Sequence, residues 1–218
     1  MMGPDHATHQ GSPQRVFTLK NVAPMYGGMA SGPLLSQGRR VMGDDMESAG
    51  SIDIARGLNE TDVTPAELRR ALGMFLTGVT IVTTRSGAQP PYGLTVNSFN
   101  SVSLDPPLIL WSLDLANDCT KMFRDAGAFA VNVMPAGSVG LIRRFSAPDI
   151  DRFEGVSWHD GGAGQPVLDE ALASFECRLW AEYPGGDHVI FVGEVLKIKI
   201  RDGDAAAYFK GQLGSYPS

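Results

Sequence analysis

Between residues 93 and 113 the chain reads GLTVNSFNSVSLDPPLILWSL, a run rich in small polar residues followed, across Asp105-Pro106-Pro107, by a strongly apolar one. At a period of two, Thr95, Asn97, Ser101 and Ser103 fall on one face, and Leu94, Val96, Ser98, Val102 and Leu104 on the other. The pattern predicts two strands joined at the proline corner. One face carries small hydrogen-bonding groups, suited to a flat polar ligand or to a solvated sheet surface.

The same period continues elsewhere. Residues 79–84 alternate as a strand, QPPYG at 89–93 supplies a turn, and residues 128–134, 175–183 and 188–200 predict further strands. Helix signals are short. Thr64-Pro65-Ala66-Glu67 combines a cap, a first-turn proline and a glutamate that can return a bond to the cap, with Leu68, Leu72 and Phe75 marking a buried face. Asn117 or Asp118 is placed to cap a short helix through Phe123, and residues 138–145 predict another. Many strands with few small helices predict a mainly β fold, an antiparallel barrel with flanking helices.

The first sixty residues show no sustained apolar period, so the chain divides into an extension at 1–60, read as mobile and dispensable, and one folded domain at 61–218. With 218 residues, of which 43% are hydrophobic, a single ordinary core is expected. A formal charge of -6 and the absence of any Lys/Arg stripe argue against nucleic-acid binding. No apolar run reaches the roughly 20 residues of a membrane helix, and no basic segment leads into an apolar one, so a cytoplasmic protein is expected. The two cysteines, Cys119 and Cys177, lie outside any CxxC spacing and read as packed thiols.

Several chemistries find no support. Gly161-Gly162-Ala163-Gly164 lacks the preceding strand and following helix of a dinucleotide loop and reads as a flexible loop, and no GxxxxGK[ST] occurs. His159 and His188 have no second ligand at metal spacing, so no metal site is expected. Ser98, Ser101 and Ser103 stand in no GxSxG elbow.

Taken in order, TGVTIVTT at residues 77–84, TVNSFNSVSLDPP at 95–107 and GDHVIFVGEV at 186–195 resemble the flavin reductase family, over roughly residues 68–214. The resemblance implies an FMN-binding split barrel that uses NADH or NADPH to reduce FMN or FAD for a partner monooxygenase. It implies a homodimer as well. Such chemistry asks little of protein acids or bases, because hydride passes between the two cofactors and the chain supplies binding and orientation.

By resemblance, Thr77 and Gly78 lie beside the flavin ring, and Thr95, Asn97, Ser98, Ser101 and Ser103 form its polar wall. Asn117, Thr120 and Lys121 meet the ribityl phosphate, which suits a hydroxyl and a cation near a helix start. The histidine of the GDH turn, His188, faces flavin and nicotinamide and is the candidate catalytic residue. Arg143, Arg144 and Phe145, with Asp151, Arg152 and Phe153, match a family loop, the phenylalanines as packing anchors and the arginines as nucleotide contacts or surface ion pairs. Gln212 and Leu213 depart from the basic and aromatic residues expected after Tyr208. Two other readings stay open at this point. One is a related split-barrel oxidase of a small phosphorylated substrate such as a vitamin B6 vitamer, and the other a flavin-binding module without turnover.

Overall fold

A computed structural model describes residues 62–217, and the extension expected at 1–60 lies outside the described residues. The chain opens with α1 (Pro65–Leu72), β1 (Thr77–Gly78), β2 (Thr80–Thr84), β3 (Tyr92–Val96), β4 (Asn100–Leu104) and β5 (Pro107–Asp114). After α2 (Thr120–Ala126) come β6 (Ala128–Val133), α3 (Val139–Arg144), β7 (Trp158–Asp160) and β8 (Pro166–Leu168). The long strands β9 (Ala173–Gly185) and β10 (His188–Ile200) precede the terminal hairpin β11 (Ala205–Phe209) and β12 (Gln212–Tyr216).

Seven strands form one antiparallel sheet in the order β3-β2-β6-β9-β10-β5-β4. The two edge strands, β3 and β4, are consecutive in the chain, so the sheet curls on itself and its seam is bridged by the bend Asn97–Phe99 rather than by a ladder. This is the split barrel. A second sheet, β1-β11-β12, lies against it, and β7 and β8 make a separate hairpin.

The barrel is filled by aromatic rings. Trp111 on β5 stacks on Phe191 of β10 with centroids 5.1 Å apart and meets Phe123 of α2 edge-on at 4.8 Å. Each such pair is worth about 0.5–1.5 kcal/mol beyond its buried area. At Gly193 a Cβ would stand 2.4 Å from Phe129 Cζ, so the missing side chain makes room for that ring. A second core, with Ile81, Met134, Ile142, Phe145 and Phe153, lies on the other face of β2, beneath α3 and β11. Buried on both faces, β2 returns its hydroxyls to backbone carbonyls: Thr83 donates to Pro166 O at 2.5 Å and Thr84 to Ala128 O at 2.7 Å.

Three expectations change here. First, residues 93–104 are not one continuous strand. Ser98 Oγ accepts from Ser112 N–H at 2.9 Å and donates to Ser112 O at 3.1 Å, which pins the bend to β5, and a register shift follows between Ser101 and Ser103. The period-two face therefore breaks, leaving Thr95 on one sheet edge and Ser101 and Ser103 on the other. Second, α1 is capped by Thr64, whose Oγ1 accepts from Glu67 N–H at 3.2 Å, but it buries no residue. Leu68, Leu72 and Phe75 are 48%, 64% and 71% exposed, because the helix stops before Phe75 and meets the body at its C-terminal end, where Gly73 O accepts from Lys210 N–H. Third, the Gly161–Gly164 segment is the turn of the β7–β8 hairpin, and Gly162 N–H donates to the buried Glu176 carboxylate at 2.7 Å.

Candidate functional site

The slot between the two sheets follows from the strand pairing. Thr80 and Ile81 of β2 lie beside Val96 and Thr95 of β3, while Thr77 and Gly78 of β1 pair with Tyr208 and Ala207 of β11. Between them opens a cavity of about 260 Å³ lined by Val79, Thr95, Asn97, Arg143, Tyr208 and Leu213. Asn97 and Tyr208 also line a groove of about 710 Å³ that runs along α1 and the β11–β12 turn.

Two polar groups, Thr77 two residues before the slot-lining Val79 and Asn97 in the lining itself, have no use inside the protein. Thr77 Oγ1 is buried without a hydrogen-bond partner, and the exposed Asn97 amide makes no hydrogen bond among the described residues. Buried hydroxyls are nearly always satisfied, so an orphan of this kind points to a missing partner. At Gly78 no atom lies within 4 Å of where a Cβ would stand. The donor set fits a flavin ring: a hydroxyl and an amide for its polar edge, an unobstructed glycine, and apolar Val79 and Leu213.

The remaining residues named from the sequence are placed as follows. Thr95 lines the slot, but its hydroxyl donates to Ile142 O at 2.8 Å. Ser98 is committed to β5, as described. Ser101 and Ser103 line neither the slot nor the groove, and Ser103 Oγ accepts from Asp105 N–H. Asn117 shapes the turn before α2: its Oδ1 accepts from Cys119 N–H at 3.1 Å and from the Tyr92 hydroxyl at 3.4 Å. Thr120 is buried and donates to Asn117 O, and the exposed Lys121 pairs with Asp125 one turn on.

His188 opens β10 opposite Asp114 of β5, two residues beyond the Ser112 that anchors Ser98. Its Nδ1 lies 2.7 Å from Asp187 Oδ1, and Nε2 has no partner among the described residues. The His188 hydrogen bond, with smaller help from its charge and from Arg69, holds the Asp187 carboxyl below the usual range. The influence of Arg69 brings α1 and the β9–β10 turn into one electrostatic neighbourhood.

The family-loop residues sort themselves by packing. Phe145 and Phe153 are buried and meet edge-on at 5.1 Å. Arg152 turns inward, donating to the Tyr92 hydroxyl, Gly93 O and Ala147 O, and Arg144 donates to Asp151 O. Arg143 alone of the three lines the slot. Burial pushes the Tyr92 hydroxyl up, and the Cys119 thiol likewise.

Residues 72–217 match the flavin reductase like domain. The chain belongs to the flavin reductase family. It is 44% identical over 148 residues to the FMN reductase (NADH) SmoA of Agrobacterium fabrum, covering 68% of this chain and 84% of that protein. It is 37% identical over 145 residues to the reductase component of the flavin-dependent trigonelline monooxygenase of Acinetobacter baylyi, covering 66% of this chain and 47% of that longer protein. The NADH:FAD oxidoreductase of Streptomyces globisporus, solved in complex with NAD and FAD fragments, superposes with a TM-score of 0.67 at 36% identity, covering 72% of this chain and 97% of that one.

Of the residues named from the sequence, Thr95 and Asn97 line the slot, Thr77 and Gly78 lie just before its Val79, and the groove beside it was not anticipated. Arg69, which lines that groove, was not singled out from the sequence. A signal for Lys210 was present: Lys210-Gly211 between two short alternating runs has the form of a two-residue hairpin turn, which puts the lysine at a tip.

Proposed function

We propose that this chain is the reductase component of a two-component system, transferring hydride from NADH or NADPH to FMN or FAD and delivering reduced flavin to a flavin-dependent monooxygenase. The observation that supports the reading is a pair of unused polar groups: the Thr77 hydroxyl, buried and unpartnered two residues before the slot-lining Val79, and the free Asn97 amide in the slot's own wall. A bound flavin supplies the electron-accepting ring.

The chain's own residues bind and orient. Thr77 and Asn97 hold the polar edge of the ring, Gly78 lets the backbone of β1 approach its face, and Val79 and Leu213 keep water from its apolar side. Asp187 fixes the His188 ring through Nδ1, so that Nε2 is presented toward the nicotinamide side. Asn117, Thr120 and Lys121 act by shaping the α2 turn, with Lys121 the one able to swing onto a phosphate by leaving Asp125.

The chain works as a homodimer. Lys197 and Lys199 of β10 face Glu176 and His159, so Ile198 and Ile200 point to the opposite side, where they are 51% and 79% exposed beside the exposed Leu196. A second copy is the natural cover for this apolar strip. A cytoplasmic setting suits an enzyme that draws on reduced nicotinamide nucleotides and keeps both cysteines as free thiols. The experiment is NADH and NADPH oxidation with and without added FMN or FAD. Flavin-dependent oxidation supports the reading, and flavin binding without oxidation would leave only a binding module.

A further inference from the structure

Away from the slot, the β7–β8 hairpin brings a second set of reactive side chains against β10. Asp169, just past β8, accepts from the Ser157 hydroxyl at 2.5 Å and lies 2.6 Å from His159 Nδ1 on β7, while His159 Nε2 lies 2.6 Å from Lys199 Nζ. Carboxylate, imidazole and amine form one chain. Hydrogen bonds from Ser157 and His159 hold the Asp169 carboxyl below the usual range, and an ionised carboxylate can only accept. The imidazole proton therefore sits on Nδ1, and the bare Nε2 accepts from the Lys199 ammonium.

An imidazole fixed by a carboxylate on one nitrogen, with the proton of a nucleophile already on the other, is the arrangement that activates a side-chain nucleophile. Here the nucleophile is an amine. Among the described lysines Lys199 alone touches an imidazole: Lys121 pairs with Asp125, Lys197 faces the Glu176 carboxylate at 3.7 Å, and Lys210 lies over the Phe209 ring. Lys199 is exposed, on the face of β10 opposite Ile198 and Ile200.

A cavity of about 170 Å³ adjoins this chain, with Val167, Leu168 and Leu172 as its apolar lining and Arg201 as a second cation. Arg201 is steered by the bond it donates to Glu170 O. The space suits a short acyl group, and the guanidinium suits the oxyanion that develops when its carbonyl is attacked. None of these residues lines the flavin slot or the groove beside it.

We propose that Lys199 is a site of N-acylation by activated short carboxylic acids, thioesters or acyl phosphates, with His159 as the base. One ammonium proton passes from Nζ to Nε2, and Asp169 steadies the imidazolium. The freed lone pair attacks the acyl carbonyl and forms the N–C bond, while the C–S bond of a thioester, or the C–O bond of an acyl phosphate, breaks. The leaving group departs with that electron pair and takes up the second proton, the third stays on the amide, and His159 releases its own to water. Nothing is oxidised or reduced. The product has lost the charge of Lys199, and with it the ammonium that ties β10 to β7.

The test treats the full chain, in mildly alkaline buffer, with the thioester N,S-diacetylcysteamine and separately with acetyl phosphate, and follows acetylation of each lysine by peptide mass spectrometry. Lys197, on the same face of the same strand, is the internal ruler. Lys199 is expected to react about tenfold faster than Lys197 with at least one reagent, a factor below that of enclosed general bases because this site is open to water. The reagent that shows the difference identifies the leaving group. His159→Gln is expected to bring Lys199 down to the Lys197 rate and leave Lys197 unchanged, and Asp169→Asn to fall between. Equal rates at the two lysines with both reagents overturn the proposal, as does a Lys199 rate untouched by His159→Gln. A loss in that variant shared equally by Lys197 also overturns it, since the effect would then belong to the fold and not to the base.

Discussion

Asp187 Oδ1 lies 2.7 Å from His188 Nδ1, and this contact at the mouth of β10 orients the imidazole. The carboxylate is fully exposed and its pKa is lowered chiefly by the histidine, so the contact is stabilising above the ordinary carboxylate pKa of about 4 and fades as pH falls below it. His188→Ala is expected to lower turnover about tenfold, equivalent to about 1.4 kcal/mol at the transition state, with an unchanged melting temperature. Asp187→Asn is expected to fall between the two and to flatten the acid limb of the pH profile below about pH 4. A melting temperature that drops while turnover holds would make His188 structural.

The Gly193 position tests the barrel core. Gly193→Ala places a Cβ 2.4 Å from Phe129 Cζ and 3.0 Å from Cys177 Cβ, both fully buried. Overpacking of this kind costs about 1–3 kcal/mol, or several degrees in a domain of this size. Calorimetry checks it, and flavin affinity measured well below the transition should be unaffected, because the residue stands inside the barrel and not at the slot.

Burial pushes the Cys177 thiol up to about 12, and Cys119 is shifted in the same direction. A raised thiol pKa stabilises the fold below the unfolded value of about 8.5, and that contribution is lost as pH climbs toward 12. Both cysteines should therefore resist iodoacetamide at pH 8.5 in the native protein and react fully in denaturant. Rapid native labelling at Cys177 would contradict its burial.

If the Ile198/Ile200 strip is the subunit contact of the proposed homodimer, Ile198→Lys and Ile200→Asp together should give monomers on light scattering. The monomer is expected to keep its barrel, seen as an unchanged far-ultraviolet spectrum. A dimer that survives both changes would place the interface elsewhere.

Much of this architecture is legible in the sequence because period-two runs and turn residues act locally: the strands from Thr80, Ala128, Ala173 and His188 begin within a few residues of where their patterns do. The break at Ser98 is not local. It depends on two hydrogen bonds to Ser112, fourteen residues away, and so a single polar face was read through a bend that splits it between both sheet edges. The exposed flank of α1 shows the complementary error, since Leu68 and Leu72 have the spacing of a buried stripe but nothing in the described chain covers them. Thr77 and Asn97 were named by resemblance alone, while the orphaned state of the Thr77 hydroxyl is visible only once the packing around it is known.

That hydroxyl gives the most direct test of the account. Thr77→Val removes a buried polar atom that has no partner, a change expected to leave the melting temperature equal or slightly higher. If the slot between β1 and β3 holds the flavin ring, the same change weakens FMN or FAD binding about tenfold in a fluorescence-quenching titration, so stability and affinity move in opposite directions. Saturable quenching by the unmodified protein, with this loss in Thr77→Val, is the predicted result. Equal flavin affinity in the two proteins, or no quenching by either, would contradict it.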